Sequence, residues 1–388
     1  MPMTLARLAV ILAIATVSLS AFAPAAEPAA VETLRISGNG VQPQVVVDTA
    51  KNVHVIYLAG DPNAADIFYI HSADGGLSFS KPVRVNSQPH SAMAIGTVRG
   101  AQLALGKNGR LHVAWMGSNL AEPKAPGKAT PMLYARLADN GLSFDPQRNV
   151  IQSHPGLDGG GSIAADEHGN VYIAWHAPLE KGAGEQSRQV WLTQSQDDGQ
   201  TFSAEKPLSA DTGACGCCGL RIACSGEKLY GLYRTADQKI ERDMTLLRFD
   251  PKSASTTSAI VGKMQSGICV MSTSALAATR GGAVGAWETN GQIFWSNFPS
   301  QGVPPAGLAV PGRPAGRKHP ALAVNSAGQT LVVWTEGTGW NKGGAVAWQE
   351  YDADGRIIPN ARGRGEGLPA WGAPAAFARK DGKFVVMY

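Results

Sequence analysis

The sequence predicts an all-β protein, a β-propeller of seven hairpin repeats, and two observations carry the prediction. One is a phrase that returns seven times: an apolar run, a turn built on Gly or a polar residue, and a second apolar run closed by a large aromatic. The other is its period. The closing aromatics are Tyr57, Trp115, Trp175, Tyr233, Trp287, Trp334 and Tyr388, at steps of 47 to 60 residues. Two runs of strand length around a tight connection make a β-hairpin. A fixed period of this size in an all-strand chain means repetition of a unit that cannot bury its own faces. Seven copies favour seven blades, with six as the alternative.

Taken in order, the chain begins with an export signal. Arg7 supplies the positive end, Leu8 to Leu19 the apolar core, and Ala21-Phe22-Ala23 or Pro24-Ala25-Ala26 the cleavage pattern. Residues 1–26 are therefore read as a signal peptide and 27–388 as the propeller, with a periplasmic or secreted product and no membrane span after processing. Thr33-Leu34-Arg35-Ile36-Ser37 reads as an outermost strand comparable to 81–86. The last repeat stops at Tyr388 after two strands, so the N-terminal strand is expected to complete that blade and close the ring, Leu34 to Ile36 pairing with residues 374–388.

In three copies a third strand runs into a similar turn: Ser72 to Phe79, Leu137 to Phe144 and Ser195 to Phe202, each with Asp and Gly ahead of a hydroxyl and a Phe. Asp accepts hydrogen bonds from the backbone N–H groups ahead of it, and Gly takes the positive φ. These turns resemble the Asp box, or BNR repeat, of the sialidase-like propellers. The resemblance implies that they lie on the face away from a ligand site. The opposite rim is built from segments that enter the first strand of each blade and leave the second.

Composition agrees with a large turn-rich domain: 46 Gly and 24 Pro, 44% apolar residues and a net charge of +4. That charge is too mild to argue for nucleic acid or an anionic membrane. The oligomeric state is not legible.

The predicted rim gathers the chemistry. Arg99, Arg234 and Arg317, with His176 and His319, are the candidate ligand-binding residues for a glycan or another small anion. Asp158, Glu288 and Glu336 are the candidate acid, base or partner carboxylates, with Glu185 as a further carboxylate. Sialidase chemistry also needs a tyrosine nucleophile activated by Glu, and no tyrosine falls on the rim. The Phe-Arg-Ile-Pro signature that the resemblance would supply is also missing. A glycosidase in general needs only two suitably spaced carboxylates.

Cys215-Gly216-Cys217-Cys218-Gly219 is the sharpest local feature, with Cys224 and Cys269 making five cysteines. In an exported chain the expectation is two disulfides involving the cluster and Cys269, and no cofactor, with Cys224 left as a free thiol. The alternative is a copper or zinc site on Cys215, Cys217, Cys218, Cys269 and Met271, with His176 as a further ligand. A redox pair is a third reading, for which C-x-C-C is not the C-x-x-C spacing. The run, with Leu232-Tyr233-Arg234 and Arg242-Asp243 after it, resembles a subgroup of exported bacterial sialidase-like proteins. No activity is implied by that subgroup.

Three functions follow: a binding propeller for an anionic glycan, a glycoside hydrolase of the sialidase superfamily, and a cysteine-centred metal or redox protein.

Overall fold

A computed structural model describes residues 31–180, 183–209, 212–237 and 240–388. The expected export signal, residues 1–26, lies outside the described residues. Seven small sheets follow one another along the chain: blade I (41–84), II (102–149), III (161–207), IV (221–262), V (275–309) and VI (318–368), each of four strands, and blade VII (375–387). Successive strands within each four-stranded blade are antiparallel neighbours. The protein is a seven-bladed β-propeller. Among the described residues no helix is long and apolar enough to cross a membrane.

The repeat aromatics explain why the blades stack. Trp115, in the second strand of blade II, is buried among Ile56, Leu58 and Ile67 of blade I. Trp175 of blade III packs on Ala114 and Met132 of blade II, Tyr233 of blade IV on Ala164 and Val190 of blade III, and Trp287 of blade V on Leu232 and Leu246 of blade IV. Trp334 and Tyr388 do the same against blades V and VI. Tyr57 completes the ring against Phe377, Val385 and Met387 of blade VII. Each aromatic thus joins its own blade to the one before it. At about 25 cal/mol per Å² of apolar area, burying an aromatic side chain of ~200 Å² contributes roughly 5 kcal/mol of gross stabilisation.

Both termini share blade VII. Glu32–Leu34 runs parallel to Phe384–Met387, with Leu34 opposite Met387. Tyr388 N–H donates to the Leu34 carbonyl at 3.1 Å, and Ile36 N–H donates to the Tyr388 carbonyl at 3.2 Å. Arg379 fixes the seam, reaching Glu32 at 2.6 Å and the Gly75 carbonyl of blade I at 2.7 Å. The strand is the outermost, as expected, yet it is third of three and parallel, where the comparison with 81–86 implies a fourth strand. In this blade the N-terminal strand pairs directly with the second strand, Phe384–Met387.

The three similar turns use the expected local chemistry. Asp74 Oδ1 accepts the N–H groups of Leu77 and Ser78, and Asp197 Oδ1 accepts that of Thr201. At 137–144 the acceptor is Asn140. Asp139 instead binds Arg110, which also holds Asp198 of the next blade at 2.5 Å.

Candidate functional site

The three arginines and three carboxylates predicted for the rim pair off one to one. Arg99, ahead of blade II, reaches Asp158, ahead of blade III, at 3.1 Å. Arg234 of blade IV stands 3.3 Å from Glu288 of blade V, and Arg317 donates through Nε to Glu336 at 3.1 Å. The three arginines share no partner among the described residues. The structure therefore brings each arginine to a carboxylate but gathers neither set into one cluster.

These pairs differ in burial. Asp158 is 40% exposed at its side chain and also faces Arg188 at 3.7 Å. Glu288 is enclosed, and burial pushes its carboxyl above the usual range although the Gly291 N–H donates to it at 2.6 Å. Glu336 also accepts from Trp334 Nε1 at 2.9 Å and from Arg364.

The histidines are enclosed too. Neither ring nitrogen of His176 has a hydrogen-bond partner among the described residues, and burial, with Arg188 nearby, pushes its pKa down to about 4. His319 Nδ1 accepts the Thr273 N–H at 3.3 Å, and burial holds its pKa down at about 3.

Part of the rim encloses a pocket of about 200 Å³. Its walls come from segments entering blades II, V, VI and VII (Thr97, Met271, His319, Trp371) and from the loop leaving the second strand of blade VI (Trp340, Lys342). Trp340 is 60% exposed and meets Trp371 edge to face, ring centroids 4.7 Å apart. Lys318 and Lys342 line it without an ion-pair partner among the described residues, and no carboxylate is in its lining. Of the predicted ligand residues, His319 lies here; Met271 and Cys269, predicted for a metal, lie here also.

The backbone of this pocket is unusual. Thr97, Met271, His319 and Trp371 have φ of 59°, 43°, 50° and 62°. For side chains of these types the left-handed region costs on the order of 1–3 kcal/mol each, and such residues collect at binding and catalytic sites.

Sequence reasoning missed Trp340, Lys318 and Lys342. One signal was present: Trp340 lies off the repeat phase, inside Gly337-Thr338-Gly339-Trp340-Asn341-Lys342, so no blade core requires it.

Next to the pocket, Cys217 and Cys269 form a disulfide across the entrances to blades IV and V, as expected for the cluster and Cys269. The expected second disulfide is not there. Cys215, Cys218 and Cys224 are free thiols. Cys215 Sγ lies 3.3 Å from Cys217 Sγ and 3.4 Å from Cys218 Sγ. Cys215 and Cys218 are themselves three apart, so a C-x-x-C pair is nested in the run. The Cys215 S–H donates to Cys218, which favours the thiolate of Cys218 and pushes the Cys215 thiol up.

The fold is similar to that of an α-L-arabinanase of Penicillium chrysogenum complexed with arabinobiose, with 13% identity over 83% of this chain and 96% of that chain and a TM-score of 0.51. It is similar to an ulvan lyase, of a new polysaccharide lyase family, with 11% identity over 88% of this chain and 85% of that chain and a TM-score of 0.51. A Trypanosoma rangeli sialidase in complex with the inhibitor DANA gives 12% identity over 78% of this chain and 53% of that chain, with a TM-score of 0.49. The first two support the propeller fold, and at these identities the fold alone. No family model matches the chain, and no curated protein matches it.

Proposed function

We propose that the protein binds a short anionic glycan, carrying carboxylate or sulfate, in the pocket of Trp340, Trp371, Lys318 and Lys342, and that it does not hydrolyse it there. The observation that carries this reading is a lining that includes two lysines with no ion pair among the described residues, an exposed tryptophan and no carboxylate. Indole faces take the apolar side of a sugar ring, and ammonium groups bind carboxylate or sulfate through charge-assisted hydrogen bonds. The pocket is smaller than the ~300–1,000 Å³ clefts that enclose a drug-sized ligand, so it suits one sugar ring with the rest of the chain outside. The propeller neighbours named for carbohydrate substrates, and the turns that resemble BNR repeats, favour a saccharide over another anion. The Cys217–Cys269 disulfide suits the oxidising compartment that the export signal implies.

A glycoside hydrolase is the second reading, and it needs two carboxylates facing one substrate. Asp158, Glu288 and Glu336 each face a different one of the predicted arginines, and Asp158 and Glu185 meet only across Arg188, which holds both.

Calorimetric titration with sulfated, uronic and neutral oligosaccharides of equal length tests the proposal. Binding of the charged ligands alone, weakening as salt rises, is the expected result. Equal binding of neutral homologues, or release of reducing ends, would overturn it.

A further inference from the structure

We propose that Cys215, Cys217, Cys218 and Cys269 form a binding site for one soft d10 cation, Cu(I) or Zn(II), which opens when the Cys217–Cys269 bond is reduced. The Sγ atoms of Cys215, Cys217 and Cys218 already lie within 4.8 Å of one another, and Cys269 is bonded to the middle one. Thus four sulfurs from two segments meet at one point of the rim, and thiolates are the ligands that soft cations select.

The surroundings are those of a metal–thiolate site. Cys218 N–H donates to the Cys215 carbonyl at 3.3 Å, a tight turn that holds the two free sulfurs 3.4 Å apart. Cys215 and Cys218 are buried against Ala236, with Val270 packed on the same cluster, which keeps water from the inner side. The run is held by contacts that leave it little freedom. Gly216 N–H donates to Glu185, Cys215 N–H to the Arg234 carbonyl and Gly219 N–H to the Ser272 carbonyl. A Cβ on Gly159 would fall 2.0 Å from the Gly216 carbonyl oxygen, and one on Gly216 1.8 Å from Arg188 Nη1, so the loop backs onto the blade III entrance without room to shift. The way in is through Cys269, which is exposed and lines the rim pocket beside Met271.

Opening the site is a two-electron step. A thiolate of an external dithiol attacks Cys269 Sγ, the S–S bond breaks and Cys217 leaves as a thiolate that takes up a proton. The second thiol of the reductant then attacks the mixed disulfide, Cys269 leaves as a thiol, and the reductant departs as a disulfide. Metal binding displaces protons from the thiols that become ligands.

The test is metal titration of the full chain, reduced with a phosphine under anaerobic conditions, against the oxidised protein. One arm uses Cu(I) with a chromophoric competitor for it and the other Zn(II) with its own. The expected result is one ion per reduced chain, in one arm or both, and none per oxidised chain. Removing an outer partner of a metal ligand costs ~10–100-fold in affinity, so Cys215→Ser and Cys218→Ser, which remove ligands, should cost about 100-fold or more. Cys224→Ser, in the strand Arg221–Ser225, should change nothing. Equal binding by oxidised protein, or full affinity in both serine variants, would overturn the proposal. Should the variants fail to fold, wild-type protein decides. A thiolate-to-metal absorption band on loading reduced chain supports the site, and its absence with all metals tried, Co(II) included, sinks it.

Discussion

The Arg234 guanidinium stands 3.3 Å from the Glu288 carboxylate with both side chains enclosed, at 1% and 3% exposure. Arg234 ends a strand of blade IV and Glu288 lies in blade V, so the pair is a strut between neighbouring blades. Removing one member leaves the other charge buried and unpaired. Glu288→Ala should cost about 3–5 kcal/mol, while a double replacement by apolar residues of similar volume should cost far less. Denaturant unfolding of the three proteins checks this. A near-neutral Glu288→Ala would show that the pair carries no structural charge compensation.

Trp175 and Trp340 are the same residue type with opposite consequences. Trp175 is fully buried between blades II and III, so Trp175→Ala should destabilise by about 3–5 kcal/mol. Trp340 is exposed at the rim, and Trp340→Ala should stay within about 0.5 kcal/mol. Thermal melts of both variants compare them directly. Similar losses in the two would mean that the rim loop is part of the stable core.

That contrast marks what was legible. A period fixes phase, so the seven repeat aromatics, the blade count and the shared terminal blade could be read before any coordinates. Loops have no period. Nothing in the sequence says that Arg99 will find Asp158 rather than join Arg234 and Arg317, although two of the three pairs lie about one repeat apart, at 59 and 54 residues. The same holds for the cysteines. Their clustering with Cys269 was readable, but whether Cys215 and Cys218 are bonded depends on geometry.

Closure rests on Glu32–Leu34 and on the two bonds between Tyr388 and the N-terminal strand. A chain beginning at residue 38 loses these, exposes an edge of blade VII and frees Arg379 from Glu32. Its melting temperature should fall by several degrees, at roughly 2 °C per kcal/mol lost for a domain of this size. An unchanged melt would contradict closure by this strand.

Acid should destabilise the fold through His319, whose pKa of about 3 acts with the same sign, and through His176. Its folded pKa of about 4, held down by burial and by Arg188 against the opposing effect of Asp158, lies below the ordinary 6.5. Between these values the unfolded chain binds a proton that the folded one refuses. The stability is therefore full above pH 6.5 and is lost as pH falls toward 4, by up to about 1.4 kcal/mol per unit. His176→Phe should flatten that part of the curve of melting temperature against pH. A variant with the wild-type slope would assign the loss to other groups.

The proposed ligand site is the aromatic, cationic pocket. Calorimetric titration of Trp340→Ala with an anionic oligosaccharide that binds the wild type decides whether ligand binds there, because the substitution is expected to leave the fold intact. The expected loss is about tenfold, or ~1.4 kcal/mol, at an unchanged melting temperature. Wild-type affinity in Trp340→Ala, with binding abolished instead by Asp158→Asn, would contradict it and move the site to the Arg99–Asp158 side of the rim.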